Sequence, residues 1–374
     1  MVYFDNAATG GFKNGATIEK AYEVMRYVTA NPGRSGHRLS ILGAEIVYSA
    51  REELGKLFNC KTETVIFTKN CTEALNTAIF GLVKSGEVIT TVYEHNSVLR
   101  PLYALKKHKG IEIKTVYFDK ECDLAQKIEQ KITEKTSAII MNAASNVTGE
   151  VLPFRAVGEI AKRYNIPFIL DGAQAGGHVE IDMIKDNITA LALAGHKGLY
   201  GLMGTGALLI NGADIPPLTY GGTGSQSFDE QPLSYPERLE SGTLNLIGIS
   251  SLLEGVKYVA PNIKTFSDRL NELTETLING LSALPYIKGY SKPNPVGIVS
   301  FSFDGMESQE LADILSEEYD IAVRGGFHCA PLIHRTLGTD KDGLIRVSFA
   351  VQNTTREISF LLNALERIHK TING

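Results

Sequence analysis

Short apolar runs alternate with amphipathic stretches from about residue 15 to residue 255. The apolar runs predict seven strands, at residues 64–67, 87–91, 111–116, 138–141, 167–170, 190–193 and 206–210. The stretches between them, such as residues 72–83 and 154–164, have the period of amphipathic helices. This alternation predicts an α/β fold with a mainly parallel seven-stranded sheet covered on both faces. Such a sheet binds its ligands at the carboxyl ends of the strands.

A different pattern follows residues 219–236, where a stretch rich in Gly, Ser, Thr and Pro predicts a long loop. Helices are predicted at residues 249–259, 263–284, 308–315 and 355–368, and strands at residues 296–303, 321–323 and 344–349. These elements predict a smaller α+β unit with its own core. The predicted large domain is residues 15–255, and the small domain combines residues 1–14 with residues 256–374. The boundary is expected within a helix.

The chain has 374 residues, of which 43% are hydrophobic and 21% charged, a globular composition that is long enough for two domains. The net charge of −5 argues against nucleic acid and against an anionic membrane as partners. No apolar run approaches the roughly 20 residues of a membrane span, and the first residues lack the features of a signal peptide. A cytoplasmic location is therefore expected. Four cysteines without a regular spacing predict neither a disulfide framework nor a metal site.

A carboxylate and a lysine follow two of the apolar runs. Asp171 ends the run at residues 166–170, and Gln174 comes three residues later. The run at residues 190–194 leads into Gly195-His196-Lys197. A lysine in an apolar pocket readily forms an imine, and a buried carboxylate needs a partner such as a protonated pyridine nitrogen. The pair predicts a pyridoxal phosphate (PLP) site, with a structural aspartate and a surface lysine as the alternatives.

Residues that could hold the phosphate and the ring follow two other strands. Asn70 and Glu73 have a spacing like that of a capping box, and the amides of Cys71 and Thr72 with the Thr72 hydroxyl would form an anion site. The alternative is a plain helix cap. His95 would stack on the ring, although a hydrogen-bonded loop histidine is the alternative.

Three further residues suit an amino acid substrate. Asn146 ends a strand and could reach a ring oxygen or a carboxylate, with a turn asparagine as the alternative. Arg346 lies in a strand pattern, and its guanidinium suits bidentate capture of a carboxylate, unless it belongs to a solvated strand face. Cys329 sits in a Gly-rich loop near Arg324 and His328, whose positive charges would favour a thiolate. Cys329 could instead fill an apolar gap, and Cys60, Cys71 and Cys122 are expected to be inert.

Together these residues resemble the class V aminotransferase superfamily of PLP enzymes, specifically its cysteine desulfurase and selenocysteine lyase branch. The resemblance is nearly continuous from residue 3 to residue 353. It is carried by the motifs at residues 3–9, 34–37, 71–74, 94–95, 145–149, 171–174, 195–197, 240–245 and 346–353.

The resemblance implies an enzyme of PLP fold type I with a catalytic cysteine loop in the small domain. Lys197 would carry the cofactor as an imine and move the Cα proton, and Cys329 would accept sulfur as a persulfide. Around the cofactor ring, the resemblance implies His95 stacked on its face, Asp171 at its nitrogen and Gln174 at its hydroxyl. Thr72 and His196 would bind the phosphate, together with Thr243 from the other subunit of a homodimer. Asn146, Arg346 and Arg324 would bind the substrate.

The implied reaction converts L-cysteine to L-alanine and passes sulfur to an acceptor protein. Selenocysteine lysis and β-elimination from cystine or cysteine on the same scaffold remain open, whereas Cys329 argues against simple transamination. A non-catalytic sulfur-transfer scaffold is the alternative from another class. Cys329 matches the persulfide-forming cysteine of the group whose motif is Arg-x-Gly-His-His-Cys. Two departures from the family pattern are Ala194, where many members have a phosphate-binding Ser, and Phe327, which replaces the first His of that motif.

Overall fold

The computed structural model describes residues 1–117, 123–224, 228 and 230–373. The chain divides into two compact units. The first unit combines Met1–Phe12, Ala144–Leu152 and Ile263–Gly374, and the second combines Lys13–Ala143 with Pro153–Asn262. Across the described ranges, none of the helices has both the length and the apolar character that a membrane crossing requires.

The strands are β1 (Val2–Tyr3), β2 (Val65–Thr68), β3 (Glu87–Thr91), β4 (Glu112–Val116), β5 (Thr136–Asn142), β6 (Phe168–Asp171), β7 (Ala190–Ala194), β8 (Gly206–Ile210), β9 (Ile287–Gly289), β10 (Ile298–Phe303), β11 (Ile321–Ala322) and β12 (Ile345–Ser348). The helices are α1 (Gly15–Tyr27), α2 (Arg38–Phe58), α3 (Cys71–Leu82), α4 (Asn96–Lys109), α5 (Leu124–Gln130), α6 (Phe154–Arg163), α7 (Leu246–Val259), α8 (Ile263–Ser282), α9 (Ser308–Tyr319), α10 (Pro331–Leu337) and α11 (Thr355–Asn373).

The second unit is built on a sheet of seven strands among the described residues, in the order β2-β8-β7-β6-β5-β3-β4. Strands β4, β3, β5, β6 and β7 pair in parallel, whereas β8 is antiparallel to both β7 and β2. The central strands β6, β7 and β8 are buried throughout, because helices cover both faces of a parallel sheet. The predicted α/β class with a mainly parallel seven-stranded sheet is confirmed.

Helix α3 follows β2 and packs against the sheet through Ala74, Leu75, Ala78 and Ile79. It begins close to the backbone of β8, since a Cβ atom added to Gly206 would lie 2.6 Å from the carbonyl carbon of Asn70. A glycine at this position therefore allows the amino end of α3 to approach the ends of β7 and β8.

In the first unit, β9, β10 and β12 form an antiparallel sheet, and β1 pairs in parallel with β11. Its apolar core includes Phe4 of the amino-terminal segment, Leu270 and Leu273 of α8, and Phe301 of β10. Residues 144–152, which the sequence pattern places in the large domain, also belong to this unit. The Ser300 hydroxyl donates to the Val147 carbonyl at 2.6 Å, and a Cβ atom at Gly149 would overlap Asn294.

Candidate active site

Asp171 occupies the last position of β6 and is 4% exposed. Its Oδ1 accepts a hydrogen bond from the Ala173 amide at 2.9 Å, and the Cys71 thiol donates to the same oxygen at 3.5 Å. The Asp171 carboxylate forms no ion pair with the residues that the structure describes. Because an unpaired buried carboxylate is costly, the end of β6 is suited to a cationic ligand.

Lys197 lies in the turn after β7, the strand next to β6 in the sheet. The positive charge of Lys197 and the negative charge of Asp171 both act on the pKa of the Cys71 thiol. Burial is the largest effect and raises that pKa well above its usual value, so the Cys71 thiol stays protonated. The structure therefore brings the lysine and the carboxylate to neighbouring strand ends.

His196 precedes Lys197 and is uncharged at neutral pH. Burial is the largest effect, and together with the charges of Lys197 and Lys13 it lowers the pKa of its imidazole to about 4. His196 can therefore offer an anion a ring N–H but no positive charge of its own. Lys13 donates from Nζ to the His196 carbonyl at 3.0 Å, and burial lowers the pKa of Lys13 to about 8. Lys13 has no recognisable motif in the sequence and was not predicted.

The amino end of α3 presents the amides of Cys71 and Thr72. Asn70 caps the helix by accepting from the Glu73 amide at 2.9 Å. Glu73 accepts from the Lys69 amide at 2.6 Å, one residue earlier than the capping-box pattern predicts. Such a helix end is a general anion site.

His95 is the N-cap of α4, and its Nδ1 accepts a hydrogen bond from the Ser97 amide at 3.0 Å. An uncharged His95 ring therefore carries its proton on Nε2. The Ser97 hydroxyl lies 2.9 Å from the same Nδ1 and 2.8 Å from the Thr72 hydroxyl. This chain of contacts joins the predicted ring-stacking residue to the predicted phosphate site. Ser97 was not singled out from the sequence, because a serine at the start of a helix is too common a signal.

Gln174 and Ala194 complete the strand-end region of this unit. Gln174 is buried in the turn after β6, and its carbonyl lies 3.1 Å from His178 Nδ1. Ala194 is the last residue of β7 and is also buried. Because it is an alanine, it offers no hydroxyl group at this strand end.

Thr243 is exposed in a loop of the second unit, and its hydroxyl accepts from the Asn31 amide group at 3.3 Å. The residues on both sides of Thr243, Gly242 and Leu244, line a cavity of about 360 Å³. Arg34 also lines this cavity and donates to the Gly242 carbonyl at 3.2 Å.

In the first unit, Arg346 is 1% exposed, which rules out a solvated strand face. Its Nη2 pairs with Asp5 at 2.9 Å, and its Nη1 donates to the Asn146 carbonyl at 3.1 Å. Its Nε is buried and has no hydrogen-bond partner within the described ranges. Since each buried donor left unpaired is costly, Arg346 has the capacity to bind a further acceptor such as a carboxylate.

Asn146 is buried in the same unit and holds the loop that carries the cysteine. Its Nδ2 donates to the His328 carbonyl at 2.7 Å. His328 and Cys329 both adopt left-handed backbone conformations, with φ of 49° and 58°. Non-glycine residues rarely adopt this conformation without anchoring contacts. Cys329 is exposed at this turn, and its Sγ lies 3.9 Å from Nη2 of Arg324.

The predicted positive charge of His328 is wrong. His328 is 2% exposed, its Nε2 lies 3.1 Å from the Leu344 carbonyl, and burial lowers its pKa well below the usual range. The ring is therefore uncharged at neutral pH, and Arg324 supplies the positive charge beside Cys329. Phe327 is exposed and packs edge-on against His334, with the ring centroids 5.5 Å apart.

Cys60 and Cys71 have no features of a reactive thiol. Burial raises the pKa of Cys60 to about 12, and Cys71 stays protonated as described above. Cys122 lies outside the described residues.

The chain resembles known proteins over its whole length. A probable cysteine desulfurase of Pyrococcus abyssi is 32% identical, and the alignment covers 100% of this chain and 96% of that protein. The apo structure of a cysteine desulfurase from Thermococcus onnurineus is 30% identical with a TM-score of 0.92, covering 99% of this chain and 95% of that one. The cysteine desulfurase CsdA of Escherichia coli is 26% identical with a TM-score of 0.89, covering 99% and 94% of the two chains.

These relatives bear the name of the branch that the sequence motifs resemble, so that prediction is confirmed. The family described as Aminotransferase class-V matches residues 2–361. The chain therefore belongs to the class-V aminotransferase family.

Proposed function

We propose that this chain is a PLP-dependent enzyme that converts L-cysteine to L-alanine and keeps the sulfur on Cys329 as a persulfide. The observation that carries the proposal is the exposed Cys329 thiol on a strained, anchored loop beside Arg324. The full-length similarity to proteins named cysteine desulfurase supports the same reaction.

The residues of the second unit fit PLP. Asp171 is a buried carboxylate without an ion pair among the described residues, and a protonated pyridine nitrogen would neutralise it. The amino end of α3 and the Thr72 hydroxyl suit a phosphate. The His95 ring, which would stack on the cofactor, is held in place by the hydrogen bond from the Ser97 amide. When bound, PLP stabilises negative charge at the Cα atom of an amino acid.

Lys197 would both hold the cofactor and move the Cα proton of the substrate. An amine can do so because its uncharged form is a base of suitable strength in a partly buried environment. Gln174 and His196 would hydrogen-bond the ring hydroxyl and the phosphate. Ala194 offers no hydroxyl at the end of β7, so the Thr72 and Ser97 hydroxyls, 2.8 Å apart, would supply the phosphate contacts.

Arg346 would bind the substrate carboxylate through its unpaired Nε and the Nη2 that now pairs with Asp5. Asn146 would act beside it by holding the His328 carbonyl, and Arg324 would supply a second positive charge. A fixed carboxylate would orient the substrate side chain for reaction.

Sulfur transfer would need no reactant other than Cys329, the substrate and a proton. The Cys329 thiolate attacks the sulfur atom of L-cysteine, the S–S bond of the persulfide forms, and the Cβ–S bond of the substrate breaks. The Cβ atom gains a proton and leaves as the methyl group of alanine. One thiol and one substrate therefore yield one persulfide and one alanine, and no external oxidant is needed. An acceptor protein would then remove the outer sulfur.

The enzyme would be a homodimer in which Thr243 reaches the phosphate of the other subunit. Thr243 is exposed beside an open cavity of the second unit. Helices α1 and α2 also carry exposed apolar side chains that a second subunit would cover. The ones used here, called the α1–α2 patch, are Ile18, Tyr22, Met25, Ile41 and Tyr48. A cytoplasmic location stays a prediction from the sequence.

The test is to incubate the purified enzyme with PLP, L-cysteine and a reductant and to measure sulfide and alanine. Equal amounts of both are expected, and Cys329→Ser is expected to lose sulfide release while its cofactor absorbance is unchanged. Full sulfide release by Cys329→Ser would contradict the persulfide route. Lys197→Ala is expected to lose the covalent label that borohydride reduction leaves on the wild type.

The same assay separates the alternatives. Pyruvate and ammonia would indicate β-elimination from cystine or cysteine, and a strong preference for L-selenocysteine would indicate a selenocysteine lyase. Absence of cofactor absorbance and of turnover with every amino acid tested would point instead to a non-catalytic sulfur-transfer scaffold.

A further inference from the structure

Glu94 is a fully buried carboxyl group in the turn between β3 and His95. Its Oε1 accepts a hydrogen bond from the Thr91 hydroxyl at 2.6 Å and lies 3.4 Å from the Asn142 amide, which points to it. Thr91 ends β3 and Asn142 ends β5, the neighbouring strand. Glu94 therefore joins the carboxyl ends of two parallel strands.

Two oxygen atoms near this junction lack partners. Glu94 Oε2 and Asn142 Oδ1 are both buried, and neither has a hydrogen-bond partner in the part of the chain that the structure describes. The Nδ2 group of Asn142 is already used, since it donates to the Tyr93 carbonyl at 2.8 Å. Both orphan atoms are acceptors when Glu94 is ionised, so ionisation leaves two buried acceptors unpaired. A proton on Oε2 would turn one of them into a donor.

The charges around Glu94 also favour the protonated form. The pKa of Glu94 is raised to about 8, with burial as the largest effect and the negative charge of Asp171 acting in the same direction. The groups that act on the Glu94 carboxyl are the Thr91 hydroxyl and amide of β3, the Asn142 amide of β5 and the Asp171 carboxylate of β6. Among these described groups only Asp171 is charged, and a second anion beside it would be unfavourable.

The contacts of Glu94 connect two predicted cofactor-binding residues, Asp171 and His95. Asn142 is the register partner of Asp171, and the Ala143 amide donates to the Asp171 carbonyl at 2.9 Å. On the other side, Glu94 is followed directly by His95, the N-cap of α4. A shift at Glu94 would therefore change the position of His95 relative to Asp171.

We propose that Glu94 is a positioning residue that acts as an uncharged carboxylic acid. It ties the turn that presents His95 to the strand ends that present Asp171, and it leaves Asp171 as the anion for the ring nitrogen. This role rests on the proposed PLP function, but the protonation of Glu94 can be tested without it.

The first experiment compares the wild type with Glu94→Gln, which has the same shape and no charge. Infrared difference spectra of the full chain at pH 6 are expected to lose the C=O band of one protonated carboxylic acid in the variant. Glu112→Gln, on the exposed first position of β4, is the matched control and is expected to lose only a carboxylate band. Loss of a carboxylate band in Glu94→Gln would overturn the proposal.

Stability provides a second readout on the same variant. A glutamate with a raised pKa in the folded state holds its proton where the unfolded chain has lost it, so its contribution to stability falls as pH rises from about 4.5 to about 8. The unfolding constant of the wild type relative to Glu94→Gln is expected to rise about tenfold per pH unit inside this window. A ratio that does not change with pH would overturn the proposal.

The positioning role is tested by PLP affinity, measured from cofactor absorbance rather than from turnover. Glu94→Gln is expected to bind PLP within about twofold of the wild type, and Glu94→Ala about tenfold more weakly, because alanine removes the hydrogen bonds that fix the turn. Equal weakening by both variants would overturn the role. If neither wild type nor variant binds PLP, the proposed function fails while the protonation result still stands.

Discussion

At the scale of single residues, the surroundings of Cys329 decide its reactivity. The left-handed turn exposes the sulfur, and the guanidinium of Arg324 lies 3.9 Å from it. His328 is next in the chain but uncharged, because its ring is buried. Arg324 is therefore the positive charge nearest to the sulfur in this loop.

Arg324→Met is therefore expected to slow the alkylation of Cys329 by iodoacetamide about three- to tenfold at neutral pH, since the positive charge beside the attacking sulfur is lost. Arg324→Lys keeps the charge and is expected to remain within about twofold of the wild type. The measurement is the rate of adduct formation at Cys329 by mass spectrometry. Identical rates for the three proteins would show that Arg324 does not influence the thiol.

At the scale of elements, a buried ion pair joins three parts of the second unit. Arg51 of α2 donates with both terminal nitrogens to Glu240 and also donates to the Val65 carbonyl of β2. Glu240 accepts from the Phe67 amide of β2 at 2.6 Å. Both side chains are less than a tenth exposed. The pair holds the segment that leads into Thr243 against the edge of the sheet.

Glu240→Ala is expected to lower the free energy of unfolding by about 3–5 kcal/mol, because it leaves the Arg51 charge buried without a partner. The double variant Arg51→Met with Glu240→Leu is expected to be more stable than Glu240→Ala, since it buries no charge at all. Urea denaturation followed by circular dichroism measures both. A double variant less stable than Glu240→Ala would contradict this account of the pair.

At the scale of the whole molecule, the α1–α2 patch predicts self-association. Ile18, Tyr22 and Met25 are spaced four and three residues apart, so they share one face of α1. The adjacent face, about 100° away around the helix, is buried through Thr17, Ala21 and Val24. Both α1 and α2 pack on α7, which follows the Thr243 segment in the chain. A partner that covers the patch would lie near the residue proposed to reach its phosphate.

The double variant Ile18→Glu with Met25→Glu is expected to be a monomer, whereas the wild type is expected to be a dimer, because two charges cannot be buried unpaired in an interface. Light scattering coupled to size-exclusion chromatography measures the mass. The control is Phe360→Glu, an exposed apolar position on α11 outside the patch. A monomeric wild type, or a dimeric double variant, would disprove the use of this patch.

The sequence by itself determined the α/β class, the seven strands of the main sheet and the family. Apolar runs of four to seven residues are recognisable without tertiary information because a buried parallel strand is apolar on both faces. Asp171 and Lys197 were also found in this way, since Asp171 directly follows one such run and Lys197 lies three residues after another.

Only the tertiary structure decided which side chains pair across long distances. Arg51 and Glu240 are 189 residues apart, and Arg346 and Asp5 are 341 apart, so no local pattern connects them. The charges of His328, His196 and Glu94 were likewise decided by tertiary structure, because each depends on burial. The pKa of a side chain follows the solvent and the charges around it, and these are set when distant segments pack together.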